Sequence, residues 1–534
     1  MLTLWGTSRG GSELARNRCV ASKSEHERSG DVWRWRRYLL CVLTAAAGAG
    51  LFYGSLTPRF YPPDERFHTA YAERIRDGEL PDVDTPLSRE HEFAEGGHRI
   101  YVANHPPLFP AIQAAMATAA GWLDVEDSEV TAGRALNVLC TLAAVVAVAA
   151  LGRDMTGSRR LGVLCAALFA ALPALWSLVS FGYSDGLGML ATVLIAWAGI
   201  RAWNRPGQGS WRLVSTTMVV AGLSRGSALI PALAIGALLT AQAWAVILPS
   251  GSRSSDRPGA GRLDTRWSLA GRAGGMALRL FGPTALIAGW WYIRNTLRFG
   301  DPLASEELLR RFGAKPRTGG LLGTLTDLEV WRGFLTDLTG SIYAPTMSFF
   351  PRPRLDTGAF WVIAGFAAAG VASLFASAGK RRIHGGEPPL RGLPVIVVAS
   401  AVAVVGVFRH VAEGGGAHSR YLLPLFALLT VIVVAGLDRL HRAGPVLALI
   451  AMCAASLTLL VQSQRWMADE SDFHNVAVYG PDGWRVLAVG LIALSLAGAV
   501  ATGVRDRVRS QQDCVSLERA PHDRASAPAT RKAR

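Results

Sequence analysis

The stretch at 135–151, ALNVLCTLAAVVAVAAL, runs for 17 residues without a charged side chain and stops at Gly152-Arg153. A run of that length approaches the ~20 apolar residues that cross the hydrocarbon core of a bilayer. Residues 394–408 repeat the pattern, and 50% of the 534 residues are apolar. A backbone inside lipid must satisfy its own polar groups, so such runs are read as helices. The chain reads as an all-α, polytopic membrane protein.

The net charge of +15 is clustered rather than spread. Arg28, Arg34, Arg36 and Arg37 precede the first apolar run. Arg153, Arg159 and Arg160 fill one short loop, and Arg201, Arg205 and Arg212 another. Lys380, Arg381 and Arg382 mark a third, and the tail ends in Arg531, Lys532 and Arg534. Basic clusters beside spans stay cytoplasmic under the positive-inside rule, so the charge reports topology and membrane-lipid contact rather than nucleic-acid binding. Cys41, Cys140, Cys165 and Cys453 fall in apolar runs, Cys19 and Cys514 in the basic ends, and no CxxC metal spacing occurs.

Placing the basic loops inside threads the rest. A first span at 38–56, long enough to anchor rather than be cleaved, runs outward. The following 57–133 is a long first extracytoplasmic loop with fourteen acidic residues against six arginines. Within it, 107–123 is apolar but at the short limit for spanning. If it crossed, the next span would deliver Arg153, Arg159 and Arg160 to the outside. It is therefore read as a juxtamembrane helix with both ends outside.

Spans then alternate at 134–151, 162–180, 186–201, 212–223, 227–248, 275–293, 358–378, 392–408, 421–437, 445–462 and 484–503. The total is about twelve, with both termini cytoplasmic. The shortest, 212–223, ends at Ser224-Arg225, where a buried arginine requires a watery cavity. Residues 249–274 read as a cytoplasmic linker, 294–357 as a second long extracytoplasmic loop, and 463–483 as a shorter acidic outer loop. The chain divides into a basic, disordered 1–37, a membrane domain at 38–503 and a basic, disordered tail at 504–534.

Candidate chemistry gathers in the outer loops. In Tyr61-Pro62-Pro63-Asp64-Glu65-Arg66-Phe67-His68 the prolines fix an extended approach to a helix start. Asp64 then sits near a helix N-terminus, where partial positive charge keeps a carboxylate ionised. Capping accounts for an isolated Asp. Glu65 and His68, one turn on, add a polar face that capping does not require. Such a group can act as a general base or hold a divalent cation such as Mg or Mn. His105, in Asn104-His105-Pro106-Pro107-Leu108, stands at the membrane boundary and can join His68 at one site facing a phosphate or a sugar hydroxyl. Asp185 joins two spans on the outer side and reads as a turn residue. Arg294, in Trp290-Trp291-Tyr292-Ile293-Arg294-Asn295, and Arg420, in His418-Ser419-Arg420-Tyr421, lie at the outer ends of spans. Each calls for an anionic partner, and arginine clamps phosphate bidentately. No GxxxxGK[ST], HExxH or GxSxG pattern is present.

Four segments in this order resemble the GT-C class of integral-membrane glycosyltransferases. They are Pro63-Asp64-Glu65-x-x-His68, His105-Pro106-Pro107-Leu108, the Trp-Trp-x-x-Arg-Asn-x-x-x-x-Gly-Asp-Pro run at 290–302, and Arg420-Tyr421-Leu422-Leu423-Pro424. The likeness is greatest to uncharacterised bacterial relatives of the protein O-mannosyltransferases and lipid A aminoarabinose transferases, and it covers 38–440. It implies a GT-C-like fold with juxtamembrane helices in the first outer loop and a polyprenyl-phosphate-linked sugar as donor. The acceptor is then a glycan, a lipid or a protein, with transfer on the extracytoplasmic side of the cell membrane. By this resemblance Asp64 is the general base with Glu65 as its partner, and Arg420 is a contact for the donor phosphate; His68 and His105 match the pattern without a fixed role, and Arg294 and Tyr421 stand with them as substrate-binding candidates. One departure is Asp64-Glu65-Arg66-Phe67-His68, where relatives carry Asp-Glu-Pro-x-His.

The competing reading is a polytopic transporter or a flippase for lipid-linked sugars, with Arg225 or Arg279 as pathway residues. It expects polar residues in broken helices at the membrane midplane; here they gather in an outer loop. A non-catalytic scaffold for envelope assembly is a third reading.

Overall fold

The computed structural model describes residues 33–55, 64–87, 99–125, 127–172, 175–176, 181–250, 262–339, 357–384, 390–469, 487–499 and 501–502. Residues 1–32 and 504–534 of the expected basic ends, Pro62 and Pro63, residues 251–261 of the expected linker 249–274, residues 340–356 of the expected second extracytoplasmic loop and most of the expected acidic loop at 463–483 lie outside them. Among the described residues the structure is helical apart from one isolated bridge between Pro86 and Arg99.

Helix α1 (Trp33–Ser55) is followed by α2 (Asp64–Arg76), a 3-10 turn at Tyr101–Asn104 and α3 (Leu108–Gly121). Next come α4 (Ser128–Thr156), α5 (Arg159–Ala170), α6 (Asp185–Asn204), α7 (Gln208–Ser224) and α8 (Gly226–Ser250). Then follow α9 (Arg262–Ile287), α10 (Gly289–Phe299), α11 (Ser305–Arg311), α12 (Gly320–Thr326) and α13 (Leu328–Thr339). Helices α14 (Thr357–His384) and α15 (Leu393–Ala412), a 3-10 turn at Ser419–Leu422, α16 (Leu423–Leu440), α17 (Gly444–Asp469) and α18 (Leu487–Ala499) complete the chain.

This is a multi-pass membrane protein. Each of the twelve expected spans contains helix, but the helices differ in their ability to cross. Among the described residues six are long and apolar enough: Trp33–Ser55, Ser128–Thr156, Asp185–Asn204, Gly226–Ala245, Leu393–Ala412 and Arg420–Leu440. Two of the other runs are interrupted. The run expected at 162–180 leaves its helix at Ala171, and the one at 275–293 carries Pro283 inside the helix and breaks at Ala288. Helix α3, the expected juxtamembrane helix, has 14 residues. At 1.5 Å per residue it is about 21 Å long, less than a ~30 Å hydrocarbon core.

Helix α4 organises the bundle. Gly157 closes it in the left-handed conformation (φ 73°), its N–H bonding the Arg153 carbonyl. Ser158 then caps α5, its hydroxyl accepting from the Leu161 N–H at 3.3 Å. The turn brings α5 back against α4 at close range: a Cβ on Gly162 would lie 2.5 Å from the Ala149 carbonyl oxygen. Small residues allow such contact, and dispersion between close backbones replaces the hydrophobic force that lipid does not supply. Val145, Val148, Leu151, Phe169, Val193, Ile195, Val431 and Val434 from α4, α5, α6 and α16 are all fully buried in the resulting core.

The same packing sorts the helix ends. Arg134 of α4, Asp185 of α6 and Arg420, just before α16, lie at one end. Arg153, Arg201 and Asp438, near the other termini of those three helices, lie at the opposite end, where Arg160 pairs with Asp438 at 2.6 Å. With 29 residues, α4 separates the two ends by about 43 Å.

Candidate active site

Five elements meet at the first of these ends: α2, the turn and loop at 101–107, the loop leading into Asp185 of α6, Arg225 between α7 and α8, and the 3-10 turn before α16. Asp64 opens α2, and Glu65 shares its first turn. Its Oδ2 accepts a hydrogen bond from Arg420 Nη1 at 2.9 Å, and its Oδ1 accepts one from the Tyr101 hydroxyl. Burial alone would raise the Asp64 pKa, but Arg420 and the Tyr101 hydroxyl outweigh it and hold the carboxyl below its ordinary range. Phe67 packs on the Tyr101 ring (4.4 Å between centroids) and Phe312 meets its edge (5.1 Å).

Arg420 is the hub. Its guanidinium carbon lies 5.3 Å from the Tyr421 ring centroid and 5.7 Å from that of Tyr183. Its Nε is buried without a partner, as are the Tyr183 hydroxyl and the Ser184 Oγ. Beyond it, Asp185 at the start of α6 forms an ion pair with Arg225, the residue that interrupts the chain between α7 and α8. Arg225, Arg420, Asp185, Ser227 and Tyr421 line one cleft whose enclosed volume is about 20 Å³. That is room for a water molecule; a larger group has to engage it from the open side.

His68 and His105 come together. Their rings stack at 6.4 Å, and the Tyr183 ring lies 5.4 Å from His68. The His105 Nε2 is 3.4 Å from Arg225 Nη2. Burial lowers the His68 pKa to about 4, against the pull of Asp185 and Asp64. Burial, then Arg225, holds His105 well below its ordinary value. Both imidazoles are neutral at pH 7. They offer hydrogen-bonding nitrogens, not charge.

Two expected site residues stand elsewhere. Glu65 does not join Asp64, because adjacent helical residues point about 100° apart. Its carboxylate receives Arg134 Nε at 2.8 Å and Nη2 at 2.7 Å, and the Gly182 N–H at 2.9 Å, with no solvent contact. Arg134 also donates to the Gly54 carbonyl at the end of α1 (2.9 Å). One turn along α4, Asn137 holds the loop before α6 at both ends, donating to the Phe181 carbonyl and accepting from the Gly186 N–H, each at 2.8 Å. Gly133 and Gly182 meet so closely that a Cβ on the former would lie 3.1 Å from the Cα of the latter. Glu65 thus helps fix the loop that carries Tyr183 and Asp185. Arg294 lies over the Trp291 ring (4.6 Å) and donates to the Pro81 carbonyl, outside the cleft.

Tyr101, Arg134, Asn137, Tyr183 and Asp185 were not singled out for the site from sequence. In the sequence Arg225 stands out as an awkward charge at the end of a short span and as a pathway residue of the transporter reading, and nothing there links it to Asp185. A divalent cation does not fit this arrangement. Asp64 and Asp185 each carry an arginine, and among the described residues no three His, Cys, Asp or Glu side chains gather as ligands.

Comparison with curated protein sequences gives no match. Among solved structures, the chain is similar to ArnT from Cupriavidus metallidurans bound to undecaprenyl phosphate (14% identity, TM-score 0.44, 87% of this chain and 72% of that one). The apo state of the same protein gives 15% identity and TM-score 0.43 over the same shares. The Archaeoglobus fulgidus oligosaccharyltransferase tethered with an acceptor peptide gives 14% identity and TM-score 0.39 over 85% of this chain and 55% of that one. The resemblance to the GT-C class of membrane glycosyltransferases also has a counterpart in a family match: residues 104–253, which hold His105, Arg134, Asp185 and Arg225, match the family described as dolichyl-phosphate-mannose-protein mannosyltransferase.

Proposed function

We propose that the chain is a membrane glycosyltransferase that moves a sugar from a polyprenyl-phosphate carrier to a hydroxyl of a glycan, lipid or protein acceptor on the extracytoplasmic side. The observation that carries this reading is the convergence of Arg420 and Arg225 on one cleft, with the Asp64 carboxylate bound to Arg420. The family match on 104–253 supports the same donor class.

In the reaction, the acceptor oxygen forms a bond to the anomeric carbon as the bond from that carbon to the phosphate oxygen breaks. Asp64 takes the acceptor's proton, and the electron pair leaves with the polyprenyl phosphate. Arg420 and Arg225 are aimed at the charge that grows on that phosphate, in a site where water screens little. Tyr421 lines the cleft, and His105, beside Arg225, and His68, stacked on it, are the neutral imidazoles nearest to it; we assign all three to substrate contact. The basic ends of α4 and α6 lie opposite the site, which supports an extracytoplasmic active site under the positive-inside rule. Arg225 sits at a turn and is paired with Asp185, which favours this reading over a transport pathway through the midplane.

The test is sugar transfer by the purified chain in lipid nanodiscs, offered a panel of polyprenyl-phosphate sugars with and without chelator. Wild type should form a sugar-linked product from at least one donor, and Asp64→Asn should lose turnover by a factor of 10² or more while still unfolding cooperatively. A folded wild type that consumes no donor in the panel overturns the proposal.

A further inference from the structure

Arg420 is engaged from two sides. Its Nη1 is bound to Asp64, while its Nε is buried without a partner and the residue lines the cleft with Arg225. Asp64 for its part has both oxygens occupied, one by Arg420 and one by the Tyr101 hydroxyl. A carboxylate so held is a weak proton acceptor, since both contacts favour its charged form. The resting site therefore presents its base in a disarmed state.

Charge balance shows what would arm it. The groups that face Asp64 are Arg420 and Tyr101, with His68, Tyr183, Asp185, Arg225 and His418 around them. Both histidines of that set are neutral, with pKa values lowered by burial to about 4 for His68 and about 3 for His418. Two arginines then face two carboxylates and the cluster is balanced. A bound phosphodiester adds one negative charge. One arginine must turn toward it, and Arg420 has the buried, unpartnered donor to do so. The cluster regains neutrality when Asp64 accepts a proton.

We infer that the anionic donor competes with Asp64 for Arg420, so that donor binding frees the carboxylate to take the acceptor's proton. This inference rests on the proposed function. It makes the base active only when the phosphate is seated, which orders donor binding before acceptor activation.

The experiment measures the affinity of undecaprenyl phosphate for the full chain in nanodiscs, comparing wild type with Asp64→Asn and Tyr101→Phe. Removing the competing carboxylate should tighten binding on the order of fivefold, about 1 kcal/mol for a partly exposed ion pair. Tyr101→Phe keeps the carboxylate on Arg420 and should not tighten binding. Cooperative thermal unfolding establishes that both variants are folded. Equal or weaker binding by Asp64→Asn overturns the inference, as does equal tightening by both variants, which would reflect general loosening. If no protein binds the lipid phosphate and wild type transfers no sugar, the functional reading falls as well. If wild type transfers sugar and Asp64→Asn does not bind more tightly, only the competition falls.

Discussion

Arg134 grips both carboxylate oxygens of Glu65, at 2.8 and 2.7 Å, across 69 residues of sequence and out of reach of solvent. Removing one partner of a buried pair strands the other charge, at a cost of about 3–5 kcal/mol, whereas replacing both with apolar groups of similar size costs far less. Glu65→Gln should therefore lower the melting temperature sharply, and Glu65→Met with Arg134→Met should recover part of the loss. Thermal unfolding in detergent checks both. A Glu65→Gln protein that melts with wild type would show that the pair is not holding α2 to α4.

The contrast between Glu65 and Asp64 shows which features can be read from sequence alone. The spans at 134–151 and 392–408 declare themselves because apolar composition is a local property. His68 and His105 were legible because each sits beside prolines and a helix start. Arg134 was not, since it stands at the edge of an apolar run and its partner is chosen by how α2 crosses α4. Arg294 and Arg420 look alike in sequence, each closing or opening an outer span, and only packing separates them: α10 turns Arg294 onto Trp291, while the turn before α16 delivers Arg420 to Asp64. Pairings over such distances are tertiary facts with no local signature.

Burial of His68 makes a prediction for pH. Its folded pKa, about 4, lies below the unfolded value of 6.5. The unfolded chain thus binds the extra proton first as pH falls, and stability declines between pH 6.5 and about 4. The full loss from this residue is on the order of 3 kcal/mol, and His105 adds a loss of the same sign. Asp64, whose pKa is lowered from 3.8, contributes stability that is lost only below that value. Melting temperature should therefore be flat above pH 7 and fall steadily to pH 4.5. In His68→Gln the slope should be shallower; an unchanged slope would show that His68 is not the group titrating.

Arg225 and Arg294 should respond oppositely to the same substitution. Arg225 lines the cleft with Arg420, and a hydrogen bond to a charged group contributes about 1.5–3 kcal/mol. Arg225→Gln should raise the donor KM tenfold or more. Arg294→Gln should leave it within about twofold, because that guanidinium lies over Trp291. Steady-state kinetics with an active donor decide between them, and equal effects would contradict the cleft as the phosphate site.

The last prediction concerns how His105 is held. Its segment, followed by two prolines, carries carbonyls that side chains must satisfy. The Asn104 carbonyl accepts from Trp291 Nε1 at 3.2 Å and Asn295 Nδ2 at 3.3 Å, and the His105 carbonyl accepts from the Tyr71 hydroxyl at 3.1 Å. Asn295 is fully buried and also donates to the Pro302 carbonyl at 3.3 Å, so one side chain ties the segment after α10 to the segment before α3. Asn295→Ala leaves the Pro302 carbonyl without that donor and the Asn104 carbonyl with one donor fewer, at about 1–3 kcal/mol. A shift of His105 by a fraction of an ångström would also move it against Arg225, 3.4 Å away. Turnover should therefore fall roughly ten- to a hundredfold, more than the modest drop in melting temperature explains. Trp291→Phe, which keeps the ring packing, should fall between Asn295→Ala and wild type. Turnover that simply follows the fraction folded in both variants would show that the Trp291 and Asn295 contacts support the loop without positioning His105.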